Sequence, residues 1–266
     1  MLAANFRDVR RENDRGDRGG MNHLYLVLLL TFQSATPPVI SPTPVLPPDT
    51  KAVFRANDSP ACASWRDARA GKGENADLFV AYYRTWVLGY ITGFNMIGPD
   101  QTGDLLGTAT REEVYGAIDG YCTRNPSRMV VDAMRPVITA IIRRREIPAT
   151  AQWNTNRKAM VVAAYSCRDW IDARENRILR LTYVTLLHGH ITAYNQWGPD
   201  PLGDAIGVAD DPLTENVIDK WCSENPKTLL VEAVQPLIDH VAKERVAGRL
   251  SPGGVRPVDK FSDGRP

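Results

Sequence analysis

The sequence predicts an all-α protein built as two tandem copies of one four-helix unit, each stapled by a disulfide. Three observations predict it. First, the stretch Gly89 to Asp104, GYITGFNMIGPDQTGD, returns 100 residues later as Gly189 to Asp204, GHITAYNQWGPDPLGD. Between residues 77–140 and 177–240, 22 of 64 pairs are identical without a gap, a register that chance similarity does not keep. Second, the four cysteines fall two to a copy at matching places. Third, the longest periodic stretch in each copy carries its apolar residues at steps of three and four, the period of a helix.

The chain opens on a charged, Gly-containing stretch, residues 1–20, which reads as disorder or as a translation start placed upstream of Met21. From Met21 the run NHLYLVLLLTFQSA has the length of a signal-peptide core and is too short to span a bilayer. Residues 1–35 are therefore expected to hold a disordered start and a signal peptide at 21–35. Residues 36–57 form a Pro-rich linker, with six prolines in the fifteen residues from Thr36 to Thr50.

The first copy is expected at 58–145. Its first helix starts with Ser59 as N-cap and Pro60 at the first helical position, and turns Cys62 and Trp65 inward. The second runs from about Asn75 to Met96, with Phe79, Tyr83, Trp86, Tyr90 and Phe94 on one face; packing in a core is the expected role of this aromatic stripe. The second copy repeats the face as Leu179, Tyr183, Leu186, His190 and Tyr194. Gly89 and Gly93, and Gly189 with Ala193, are small residues four apart. Because glycine inside a helix costs about 1 kcal/mol, close approach of another helix is the expected reason for them. The third helix begins at Thr110 with Glu113 three later, a capping box, and turns Val114, Ile118 and Tyr121 inward; its second copy starts at Asp211 and Pro212. The fourth helix is expected from Asn125 and Pro126, and from Asn225 and Pro226, with a matched kink at Pro136 and Pro236. A linker at 146–162, whose apolar end from Lys158 to Tyr165 should pack on one copy, leads to the second copy at 163–247. A disordered tail, 248–266, closes the chain.

Four cysteines allow three connectivities, and a duplicated unit favours the one that repeats: Cys62 with Cys122, and Cys167 with Cys222. Each would stabilise a small core by roughly 4 kcal/mol on the chain-entropy model. Paired cysteines also point to an oxidising compartment, periplasmic or secreted. Beyond residue 35 the chain holds 27 basic and 27 acidic residues. Neutrality argues against a nucleic-acid or anionic-membrane partner, and no membrane insertion is expected beyond the signal peptide.

The duplicated polar residues Asn95, Asp100 and Asp104, with Asn195, Asp200 and Asp204, are the candidate partner-binding loop. They equally suit helix termination and side-chain-to-backbone turns, with Gly103 and Gly203 at positive φ. They lack the alternation and terminal Glu of a calcium loop. His188 and His190 sit two apart on a helix and point to different sides, which makes them poor joint metal ligands. The chain has none of the usual nucleophile, zinc or phosphate-loop motifs. No catalytic residue, metal or cofactor is therefore expected.

In each copy a Cys and an aromatic residue lie on a short helix, followed by GYITGFN or GHITAYN on a long one, then YCTRNP or WCSENP before a helix with Ala133 or Ala233. This order resembles the small all-α disulfide domain of Rap/Tai-type immunity proteins and of HdeA-type periplasmic acid-stress chaperones. The resemblance covers roughly 58–145 and 163–245. Unlike many of the immunity proteins, the fourth helix has no further cysteine; unlike the chaperones, this chain carries two units. The resemblance implies an exported, helical, non-catalytic protein that binds an unidentified protein partner, immunity-like in mode. The alternatives are an acid-stress chaperone, or a hydrolase or metal enzyme outside the known patterns.

Overall fold

A computed structural model of the chain describes residues 54–98, 104–144, 160–199, 203–207 and 211–247. The expected leader, most of the Pro-rich linker and the tail lie outside the described residues. Among the described residues the chain is all-helical and carries two disulfides, Cys62–Cys122 and Cys167–Cys222, the connectivity that the repeat favours.

The first half contains α1 (Cys62–Arg69), α2 (Ala76–Ile97), α3 (Arg111–Arg124) and α4 (Val130–Arg144). The second contains α5 (Cys167–Asp172), α6 (Arg177–Trp197), α7 (Asp211–Glu224) and α8 (Val234–Val246). Each half closes in the same way. In the first, the Cys62 amide donates to Arg128 O and the Val130 amide to Pro60 O; in the second, Cys167 donates to Thr228 O and Leu230 to Tyr165 O. The disulfide lies directly beside this bridge, so covalent and hydrogen-bonded closure reinforce each other. Deeper in, the indole Nε1 of Trp65 donates to Asp119 at 2.6 Å, and that of Trp170 to Asp219 at 2.6 Å. A buried indole N–H needs such a partner.

Two helix starts differ from the expectation. Ser59 does not cap α1, which begins after Ala61; its hydroxyl accepts instead from the Val131 amide and ties the incoming chain to α4. Asn125 and Asn225 do not open the fourth helices. Their side-chain amides donate to Tyr121 O and Trp221 O, closing the helices before them. The matched proline kink is also not matched. α4 runs through Pro136, whereas a 3-10 turn at Leu230–Ala233 precedes α8 and leaves Pro236 in its first turn, where no intrahelical partner awaits its amide. Thr110 and Glu113 do form the capping box of α3.

The halves do not stand apart on a linker. All described residues belong to one compact unit, and the packing of α2 on α6 is its most extensive helix contact. A Cβ on Gly89 would fall far inside 3.0 Å of Leu186 O, and one on Gly189 equally close to Trp86 O. One on Gly93 would meet the Ala193 methyl at 2.8 Å. Phe94 stacks edge-on against Trp197, centroids 5.4 Å apart. Since 86 pairs with 189, 89 with 186, and 94 with 197, the helices run parallel about a local two-fold. The helix that the small residues admit is thus the counterpart from the other half.

Candidate functional site

The duplicated loop residues resolve into a clasp across this interface. Thr92 and Asn95 lie one turn apart on α2, as do Thr192 and Asn195 on α6, so each pair shares a helix face. The Asn195 side-chain amide donates to Arg55 O at 2.8 Å while the Thr192 hydroxyl accepts from the Asn57 amide at 2.9 Å. In mirror fashion Asn95 donates to Met160 O at 2.9 Å and Thr92 accepts from the Val162 amide at 3.2 Å. The segment that leads into each half is held by the other half.

Each Asn also reaches its own loop. Its carboxamide oxygen accepts from the Leu105 amide at 2.9 Å in one case and the Ala205 amide at 2.8 Å in the other. Asn95 and Asn195 are fully buried, so they present no surface to a partner. Asp204 is buried too, accepts from the Gly207 amide at 3.0 Å and faces the Arg55 guanidinium at 3.8 Å. Arg245 donates to Asp204 O, which ties the end of α8 to this turn. Gly203 has φ +64°, as its turn requires, and Gly207 has φ +60°. Asp104 is half-buried, while Asp100, Asp200 and Gly103 lie outside the described residues.

His188 and His190 diverge, as two residues apart on a helix must. His188 Nδ1 lies 2.8 Å from Asp58 Oδ2 on the first incoming segment. That contact holds the Asp58 carboxyl below its ordinary range, and Asp58 adopts a left-handed φ of +48° to make it. His190 is enclosed at the α2–α6 contact, where burial lowers its pKa to about 4. Its counterpart Tyr90, also enclosed, bonds to Gln196 and accepts from the Trp197 indole at 2.8 Å. Among the described residues no group of three or more His, Cys, Asp or Glu could hold a metal ion.

One feature was read differently from the sequence. The aromatic stripe joins the core from Tyr83 onward, where Tyr83 packs against Trp65 and its counterpart Tyr183 is buried, but Phe79 is 48% exposed and its counterpart Leu179 43%. With Leu78, Ile178 and Leu181 they supply five of the eight exposed large apolar side chains among the described residues, all within the first five residues of α2 or α6. Because these helices run parallel, both sets lie at the same end of the molecule. The sequence carried no signal of this, since adjacent apolar pairs such as Trp86–Val87 and Tyr90–Ile91 on the same helix are both buried. No described helix is long and apolar enough to cross a membrane. No protein-family model, curated protein or solved structure matches the chain.

Proposed function

We propose that the chain is an exported, non-catalytic protein-binding molecule that sequesters a protein partner in the bacterial periplasm, immunity-like in mode. We read its halves as two copies of one disulfide-stapled unit, fused so that each completes the other. The observation that carries the reading is the apolar end formed by Leu78, Phe79, Ile178, Leu179 and Leu181. Exposed apolar side chains clustered on neighbouring positions mark protein contact surfaces, whereas scattered ones need no explanation. Two equivalent patches on one rigid body also allow one partner, or a dimeric one, to engage both. The paired cysteines and the apolar run after Met21 support export.

The test is affinity capture from periplasmic extract with the wild-type chain and with a Leu78→Asp, Ile178→Asp double variant. A specific protein retained by the first and lost by the second is the expected result. Capture of nothing, or of a protein indifferent to the substitutions, would sink the reading.

A second reading, an acid-stress chaperone, is favoured by the enclosed His190 and the Asp58–His188 contact, because acid loosens both. Opening the α2–α6 contact would expose Trp86, Tyr90 and Phe94. Light scattering of an aggregating client near pH 3 decides it, and undiminished aggregation would remove it.

A further inference from the structure

The outer faces of α7 and α8 enclose a groove of roughly 650 Å³ that the clasp and the apolar end do not use. Its floor is Leu213, Val217 and Trp221 on α7, one helical turn apart, with Pro236 on α8. The two helices run antiparallel, since Arg245 near the end of α8 reaches Asp204 just before α7. Glu224 therefore stands at one end of the groove and Lys243 at the other, with Lys220 and Asp239 between. Glu224, Lys220 and Lys243 have no ion-pair partner among the described residues.

The same place in the first half is built otherwise. Gly116, Gly120, Thr139 and Ala140 stand where the second half has Asn216, Lys220, Asp239 and His240. A Cβ at Gly116 would meet nothing within 4 Å. The first half thus offers a face of smaller residues with Glu113 and Ala117 in place of Leu213 and Val217, and its rim is basic at both ends, with Arg124 and Arg143 where the second half has Glu224 and Lys243. The apolar floor and a rim of opposite charge at its two ends therefore belong to the second half alone.

An apolar floor with a four-residue repeat between charged rims suits an amphipathic helix, which places anchors at i, i+4 and i+8 into such grooves. The charges add polarity to the fit. We propose that the α7–α8 groove seats an amphipathic α-helix of a protein partner, with a basic residue toward Glu224 and an acidic residue about two turns away toward Lys243. This site rests on the reading of the chain as protein-binding and is separate from the apolar end.

The probe is a phage library of 16-residue helical peptides (about 24 Å long) with randomised apolar and charged positions, selected on the full oxidised chain. Enriched peptides are expected to carry apolar i, i+4, i+8 anchors and to bind a Val217→Asp variant at least about tenfold more weakly, the scale of about 1.4 kcal/mol. A Glu224→Lys, Lys243→Glu variant leaves the floor intact and should prefer peptides of reversed charge order. Circular dichroism and a thiol count establish that both variants are folded and oxidised. Peptides indifferent to Val217→Asp, or without charge order, would overturn the groove. So would peptides lost only with Leu78→Asp, Ile178→Asp, while leaving the protein-binding reading intact. No enrichment at all would overturn the groove alone, because periplasmic capture tests the wider reading independently.

Discussion

The two incoming segments, Phe54–Pro60 and Met160–Tyr165, are held by the same duplicated clasp but not equally. The first is gripped further: Asn57 O accepts from the Trp86 indole at 2.8 Å, Arg55 donates its amide to Gly203 O, and Asp58 meets His188. Asn57 and Ser59 are buried as a result. The second has Leu186 in place of Trp86 and Leu88 in place of His188, so both extra partners are missing. It gains instead an Arg111 bond to Val162 O, and Met160 stays half-exposed. What the two share, Thr and Asn three apart, is the assembly device. What they do not share belongs to one copy and can be removed without dismantling the other.

The largest effect should come from the shared contact. Gly189→Ala or Gly89→Ala drives a methyl into the opposite backbone, where no side chain can yield, and is expected to cost more than about 4 kcal/mol, measured by urea unfolding. Equal loss at both positions would confirm the local two-fold; loss at one alone would break it.

Next comes the asymmetric pair Tyr90 and His190. The folded pKa of His190, about 4, lies below the ordinary 6.5, so the unfolded chain binds more protons between those values. Its contribution is fully present above pH 6.5 and is lost as pH falls toward 4, a difference of roughly 3 kcal/mol. His190→Gln should flatten that slope. A slope unchanged in the variant would assign the pH dependence elsewhere.

Trp86→Phe sharpens the comparison of the segments, because it removes the indole donor and leaves Asn57 O with one partner fewer. A loss of about 1–2 kcal/mol is expected, with faster amide exchange at Asn57 than at Val162. The smallest change should follow His188→Leu, which gives the second half the residue of the first. Asp58 is well exposed, so solvent screening limits the loss to less than about 1 kcal/mol. The Asp58 carboxyl titrates low, and its contribution is present above its ordinary value near 3.8 and lost as pH falls further. In the variant, the Asp58 carboxyl signal followed by NMR should return to that ordinary value.

Architecture was legible in the sequence because it was written twice. The repeat yielded the cysteine pairing, the two long helices and the reason for Gly89 and Gly189. The role of Asn95 and Asn195 was not legible, since their partners are backbone atoms of Met160 and Arg55, and a backbone acceptor leaves no mark on residue choice. The ends of the fourth helices failed for a related reason: Asn followed by Pro serves equally to close one helix or to open the next. Phe79 was assigned to the core by its spacing alone, and spacing says which residues share a face but not where the neighbouring helix stops covering it.

The crossed segments carry a topological consequence. Each disulfide closes within one half, so only residues 145–159 connect the halves covalently. A protease that cuts there severs the chain without severing the molecule. The nicked protein should elute at its original size from a sizing column and separate into two pieces only in denaturant, and those pieces, once the denaturant is removed, should find each other again.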